Sequence, residues 1–387
     1  MSQNQNMNKS SLKVLTVVGT RPEIIRLSRV MALLDQHFNH IIAHTGQNYD
    51  YELNEVFFRD LELRKPDFFM NVDVSSLEAS VGDIIRKSGE LLRKEKPDAL
   101  LVLGDTNSCL SAYMAKRLHI PVFHMEAGNR CFDFNVPEEL NRRIIDHIAD
   151  FNLVYTEHAR RHLISEGLPH RRIYLTGSPM REVLQYYMNK IEHSSVLREL
   201  NLKTGEYFIV SVHREENVDH PANLHRILSI LNRLAGDYGF PVIVSTHPRT
   251  RKRLENLPGV KTDPLIQFLK PFGFIDYVHL QMKALCTVSD SGTISEESSI
   301  LNFPAISLRQ SMERPEAQDA GTIILTGFDQ QVVMDSIKLV LKEFEQTGGY
   351  KKIADDYMIE NTSWRVVKLI SGNAGLSNIW NGIHHEN

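Results

Sequence analysis

The sequence predicts an α/β fold of two doubly wound domains facing across a cleft, on three observations. Short apolar runs rich in β-branched residues alternate with helix-length segments whose apolar residues recur every three or four positions. Several of these runs end in a polar or glycine-bearing cluster, the pattern of buried parallel strands presenting loops at their carboxyl ends. The alternation breaks once, in a polar helical stretch at 185–203, and then begins again. At 387 residues the chain accommodates two domains of roughly 180 residues, each able to bury its own core. The expected division is 1–187, 188–365, and a tail at 366–387 that packs back on the first domain through Val366, Val367 and Ile370.

The first strand is expected at 13–18, KVLTVV, followed by the turn Gly19-Thr20-Arg21-Pro22-Glu23. Pro22 suits the first turn of a helix, where its missing N–H costs nothing. Ile24, Leu27, Val30, Met31 and Leu34 then mark a helix at 23–34. Strands at 40–44, 99–103, 120–123, 151–155 and 173–175 follow, with helices at 51–61 and 76–94 among them. The second half repeats the pattern with strands at 207–212, 241–245, 285–288 and 305–308 and helices at 221–235, 277–284, 295–301 and 331–343. Such βαβ repetition predicts mostly parallel sheets with right-handed crossovers.

Composition excludes several classes of function. A formal net charge of -4 argues against a general nucleic-acid binder, which needs a basic surplus to neutralise phosphates. The polar start, MSQNQNMNKSS, has no apolar secretory core, and no apolar run approaches the roughly 18 residues of a membrane span. A cytoplasmic protein is expected. Cys109, Cys131 and Cys286 form no CxxC pair and read as buried reduced thiols. The 17 histidines include no HExxH or other metal-binding set.

The chemistry-bearing residues concentrate in 101–142. Two apolar runs there end in Gly104-Asp105-Thr106 and His124-Met125-Glu126-Ala127-Gly128, and Glu138-Glu139 follows Pro137 at a helix start. Taken singly, Asp105 reads as a helix cap, Glu126 as a buried acceptor and Glu138 as a favourable first-turn charge. Together, three carboxylates at one sheet edge point to proton chemistry.

Two strand-to-helix turns suit anions. The turn GTRPEIIR at 19–26 offers a helix N-terminus and Arg21, a guest site for phosphate as well as an ordinary surface turn. It contains neither GxGxxG nor GxxxxGK[ST]. In SDSGTISEE at 289–297, Ser291, Gly292 and Thr293 leave backbone N–H groups for a phosphate and Gly292 permits close approach. Glu297 fits either two ribose hydroxyls or a first-turn charge. His213 and His247, each after a strand of the second half, read as cleft-facing acids or phosphate-binding groups, against the commoner structural histidine.

GTRPE, LGDT, HMEAG, PEELNR, HREEN, SDSGTISEE and ERPE, in this order over nearly the whole chain, resemble the non-hydrolysing UDP-N-acetylglucosamine 2-epimerase family. The resemblance implies two Rossmann-like domains of GT-B type, a homodimer, a UDP-N-acetylhexosamine substrate, and no metal or nicotinamide cofactor. It also implies elimination of UDP to a 2-acetamidoglycal and re-addition with C2 inverted. Carried over position by position, it gives Asp105, Glu126, Glu138 and His213 catalytic roles. Arg21 and the Ser291-Gly292-Thr293 turn correspond to diphosphate contacts, Glu297 to a ribose ligand and Tyr277 to the aromatic near uracil. Arg26, His247 and Arg314 join the substrate- and UDP-binding set. Arg26 stands where the family has lysine, Thr293 replaces the second glycine of SGG, and Gln47-Asn48 replaces a glutamine-histidine pair tied to an allosteric substrate site. The fuller wording, including HTGQNYDYELN, MEAGNRCFD and LKPFGF, is similar to the branch converting UDP-N-acetyl-L-talosamine to UDP-N-acetyl-L-fucosamine for capsule or O-antigen.

Overall fold

The alternation of apolar runs and amphipathic segments builds two separate parallel sheets. A computed structural model describes residues 10–46, 58, 60–218, 221–246, 248–255 and 261–383. The pair Gln47-Asn48, His247 and, apart from residues 58, 60 and 61, the helix expected at 51–61 lie outside the described residues. The chain divides into one unit of Met1–Arg130, Val136–Val183 and Ile359–Asn387 and a second of Cys131–Asn135 and Leu184–Met358.

The first unit runs β1 (Lys13–Val18), α1 (Arg21–His37), β2 (Asn39–His44), β3 (Phe68–Phe69), α2 (Leu77–Glu95), β4 (Ala99–Leu103), α3 (Ser111–Arg117), β5 (Val122–Ala127), α4 (Pro137–Ile148), β6 (Phe151–Val154), α5 (Glu157–Ser165) and β7 (Ile173–Leu175), and ends within α6 (Met180–Glu192), whose residues from Leu184 belong to the second. Its sheet has the order β3-β2-β1-β4-β5-β6-β7, with every pair parallel. Helices cover both faces of such a sheet, which is why all five residues of β4, ALLVL, are buried and apolar. Ile24, Leu27, Val30, Met31 and Leu34 of α1 are buried, as their spacing predicts. At α2, Ser76 Oγ accepts from the Ala79 N–H and Lys96 closes the helix in a left-handed conformation.

Strand β5 runs further than the apolar run 120–123 suggests. His124, Met125 and Glu126 continue it, all buried, to Ala127. A histidine and a glutamate inside a parallel strand hide it from an apolar-run reading, and their partners make the burial possible. The pairing of β5 with β6 shifts register between Met125 and Ala127, and Glu126 lies at φ 64°. This is a bulge, with the glutamate as its left-handed residue.

The second unit runs α7 (Val196–Glu199), β8 (Phe208–Ser211), α8 (Glu215–Val218), α9 (Pro221–Tyr238), β9 (Val242–Ser245), α10 (Pro248–Glu255), β10 (Ile266–Leu269), α11 (Phe274–Lys283), β11 (Cys286–Ser289), α12 (Ile294–Leu301), β12 (Ala305–Ser307), α13 (Glu316–Asp319) and α14 (Gln330–Thr347). The sheet order is β10-β9-β8-β11-β12, again all parallel. Alternate strand residues serve opposite faces. Phe208, Val210, Val242 and Val244 pack with Ile227 and Leu231 of α9 and Ile337 of α14, while Ile209 and Ile243 pack with Leu280 of α11. The last helix, α15 (Thr362–Trp380), returns to the first unit. It buries Val366, Val367 and Ile370. Trp364 lies 5.2 Å from the His37 ring of α1, centroid to centroid.

In both sheets the first strand of the unit sits beside the fourth, so chain order reverses between β1 and β4 and between β8 and β11. In open parallel sheets ligands bind outside the strand carboxyl ends at such a switch point.

Candidate active site

At the first switch point, Glu23 joins the two loops. It is buried at the start of α1 and accepts from the Gly19 N–H at 2.5 Å, Ser108 Oγ at 3.0 Å and Thr106 Oγ1. Burial pushes its carboxyl up, opposed by those hydrogen bonds. Glu23 thus ties the turn that carries Arg21 to the loop that carries Asp105.

Asp105 follows β4 and is held from α4. Arg142 Nε and Nη2 donate to Asp105 Oδ2 at 3.0 and 2.6 Å, and Asn141 Nδ2 donates to the Asp105 carbonyl at 2.9 Å. The PEELNRR sequence therefore positions a neighbour as well as bearing an acid. Glu138 stands in the first turn of α4, half-buried behind Pro137. Glu139 is fully buried and accepts from Arg142 Nη1 at 2.9 Å and Arg143 Nε at 3.0 Å.

Glu126 is 8% exposed and accepts from Arg26 Nη1 and, at 3.4 Å, from Asn129 Nδ2. Its Oε2 would lie 3.7 Å from a Cβ built on Gly104, the residue before Asp105. Arg21, Arg26, Asp105, Glu126 and Glu138 therefore belong to one sheet edge, with Asp105 just after β4 and Glu126 in the last residues of the neighbouring β5, at its bulge.

In the second unit the loops at the switch point are organised by Asp290. Asp290, fully buried after β11, accepts from the N–H groups of His213 at 3.2 and 3.1 Å and Arg214 at 3.0 Å, and from Asn217 Nδ2 at 2.8 Å. This fixes the loop after β8 and leaves the His213 side chain 44% exposed. Ser291 Oγ and Thr293 Oγ1 are 2.9 Å apart in the turn entering α12. Gly292 faces an ion-paired wall: Arg309 Nη1 would be 3.5 Å, Arg214 Nη2 3.8 Å and Oε2 of Glu313, which pairs with both arginines, 3.8 Å from an added Cβ. Arg314 Nη1 donates to the Gly292 carbonyl at 3.2 Å and lies 3.0 Å from Glu296 Oε1. Glu297 is buried and accepts from Gln281 Nε2 at 2.8 Å. The Tyr277 phenol, hydrogen-bonded with Ser211 and Ser289, is pushed well above its usual range by burial first and then by the Glu297 charge.

A backbone turn beside three arginines, themselves paired with Glu313 and Glu296, at one switch point, and carboxylates in arginine pairs at the other, is a set suited to an anionic, proton-transferring substrate. The sequence profile described as UDP-N-acetylglucosamine 2-epimerase matches residues 32–371. The chain belongs to that epimerase family. The solved UDP-N-acetylglucosamine 2-epimerase from Rickettsia bellii is 48% identical, with 96% of this chain and 100% of that one covered and a TM-score of 0.88. The enzyme from Methanocaldococcus jannaschii, solved in complex with UDP-GlcNAc and UDP, is 31% identical, covers 94% and 100%, and has a TM-score of 0.87. A UDP-2,3-diacetamido-2,3-dideoxy-D-glucuronate 2-epimerase from Pseudomonas aeruginosa is 31% identical over 87% of this chain and 95% of its own.

The chain is thus an enzyme of the non-hydrolysing epimerase type, with the two parallel α/β sheets of GT-B architecture. Among the described residues no His, Cys, Asp and Glu group is arranged to hold a metal ion, and no helix is long and apolar enough to cross a membrane. The residues that sequence reasoning missed in this epimerase are partners: Glu23, Arg142 and Asp290, each joining loops distant in sequence. Their presence within the quoted motifs, Glu23 in GTRPE, Arg142 in PEELNR and Asp290 in SDSGTISEE, was the only pointer to them.

Proposed function

We propose that this epimerase inverts C2 of a UDP-N-acetylhexosamine by eliminating and re-adding UDP. The C2 proton has no adjacent carbonyl to acidify it, so direct abstraction is unfavourable. In the elimination a carboxylate takes that proton, the C1–O bond breaks with its electron pair going to the UDP β-phosphate, and a C1=C2 bond forms. Re-addition returns the phosphate oxygen to C1 and delivers a proton to the opposite face of C2. Asp105, Glu126 and Glu138 form the proton-transferring set. Arg21, His213, Arg314 and the Ser291-Gly292-Thr293 turn stabilise the departing diphosphate, with Glu297 at the ribose and Tyr277 at the uracil. Arg26 and His247 complete the substrate-binding set. The observation that carries this reading is the pair Asp105 and Glu126 at neighbouring strand ends, each held by an arginine.

The proposed sugar is UDP-N-acetyl-L-talosamine, converted in the cytoplasm by a homodimer to UDP-N-acetyl-L-fucosamine for capsule or O-antigen. The motif wording and the departures at Arg26 and Thr293 support it. A second reading, UDP-N-acetylglucosamine to UDP-N-acetylmannosamine, is supported by the likeness to an enzyme solved with UDP-GlcNAc. Each UDP-sugar is offered separately in D2O and C2 is followed by NMR. Faster conversion of the talosamine compound is expected; preference for UDP-N-acetylglucosamine selects the second reading. Accumulating free sugar and UDP would indicate a hydrolase. Conversion only with an acceptor would indicate a glycosyltransferase, and binding without exchange a sensor.

A further inference from the structure

Beside the acids assigned to proton transfer, the first unit buries a second charged cluster. The side chains of His124, Arg130 and Asp146 have no exposed surface. Arg130 Nη1 donates to Asp146 Oδ2 at 2.6 Å, and its Nε and Nη2 donate to Glu166 at 2.8 and 2.7 Å. Burying ions costs free energy unless they are closely paired, and an apolar replacement of the same volume often serves stability as well or better. The cluster therefore calls for a reason beyond stability, and its contacts supply one.

Asp146 touches the loop after β5 directly: its two carboxylate oxygens accept from the Gly128 N–H at 3.2 and 3.1 Å, two residues beyond Glu126. Gly128 lies at φ 80°, and a Cβ there would be 2.4 Å from the Ala159 carbonyl oxygen, so the loop is pinned from both sides. Asp146 Oδ1 is also 3.0 Å from Nδ1 of His124, two residues before Glu126, a charge contact without hydrogen-bond alignment. The other ring nitrogen of His124 contacts the carbonyl of Gly104, the residue before Asp105, at 2.8 Å. Asp146 itself projects from α4, the helix whose first turn holds Glu138 and whose Arg142 holds Asp105.

We propose that Asp146 is a positioning residue of the epimerisation, setting the Asp105 loop, the Glu126 bulge and the Glu138 helix in mutual register through Gly128 and His124. This rests on the proton-transfer roles proposed above. A misplacement of reacting groups by about 1 Å is enough to cost about 100-fold in rate. Asp146 lies in the first unit and the proposed diphosphate turn in the second, and the Arg21 turn of the first unit is fixed through Glu23 rather than Asp146, so loss of Asp146 acts mainly on turnover.

The test uses the full-length enzyme, with kcat, KM, UDP affinity by calorimetry and C2 deuterium uptake measured on Asp146→Asn. Expected is a fall in kcat and C2 exchange of roughly 100-fold, with KM and UDP affinity within about twofold of wild type. His124→Gln keeps the Arg130–Asp146 pair and breaks the link to Gly104, so it decides the matter if Asp146→Asn fails to fold; a loss of about tenfold in kcat alone is expected. Wild-type protein without C2 exchange would count against the proton-transfer reading itself. Wild-type exchange matched by the folded variants, or a variant loss spread equally over kcat and UDP binding, would overturn the positioning role.

Discussion

Arg26 reaches across 100 residues of sequence to ion-pair with Glu126, a glutamate held in the left-handed region at φ 64° by the bulge in β5. A non-glycine residue there costs of order 1–3 kcal/mol and persists only where its surroundings demand it. The bulge aims the carboxylate towards the loop of Asp105, and Arg26 holds it there. Arg26→Ala removes a charge-assisted hydrogen bond worth about 1.5–3 kcal/mol, which corresponds to about a 10- to 150-fold loss of kcat/KM. Arg26→Lys keeps the charge and is expected to lose less, as steady-state kinetics on the two variants will show.

Gly128→Ala is expected to destabilise strongly. The new Cβ would meet the Ala159 carbonyl oxygen at 2.4 Å, with the backbone at φ 80°. Overpacking and left-handed strain together give about 2–5 kcal/mol, read from the shift of the urea midpoint by circular dichroism.

Gly292→Ala makes the opposite demand. The nearest atom to the added methyl is Arg309 Nη1 at 3.5 Å, an ordinary contact, so stability stays within about 0.5 kcal/mol of wild type. The methyl narrows the approach of a phosphate to the backbone, and UDP affinity by calorimetry should fall by about tenfold, or 1.4 kcal/mol. Unchanged UDP affinity would remove this turn from the diphosphate site.

Glu166 gives a pH signature. Arg130 hydrogen bonds hold its carboxyl down at about 2. A carboxyl whose folded value lies below its unfolded value adds stability above the unfolded value, about 4.3, and loses it as pH falls towards 2. Because Glu166 keeps some solvent contact, the contribution is on the order of 1–2 kcal/mol after screening. The stability difference between wild type and Glu166→Gln should therefore be full at pH 7 and shrink between about pH 4.5 and 2. A difference constant over that window in urea titrations would contradict the pairing.

The parallel strands were legible where apolar and β-branched residues dominate them, as in KVLTVV and ALLVL. Strand β5 was half hidden because His124 and Glu126 lie inside it, satisfied by the Gly104 carbonyl and Arg26. Strand β10, IQFL, went unread because Gln267 interrupts a run of four and Pro264 precedes it closely. The stretch 185–203 read as a polar helical break between the two halves, and α6 runs through its first half to Glu192. At the site, strand-end acids and turns carry local signals that a sequence displays. Their partners do not: Arg142 meets Asp105 across 37 residues and Asn217 meets Asp290 across 73, contacts set by sheet register and helix placement. Pairing of that kind has no local pattern to announce it.

The central claim, that these carboxylates move the C2 proton while UDP departs, is tested most directly by single-enzyme incubation in D2O with a UDP-N-acetylhexosamine that the wild type converts. The account predicts one deuterium at C2 of the product, no net release of free sugar, and loss of that exchange in Glu126→Gln with UDP affinity retained. A product that keeps its original C2 hydrogen, or a Glu126→Gln enzyme that exchanges it at the wild-type rate, would contradict it.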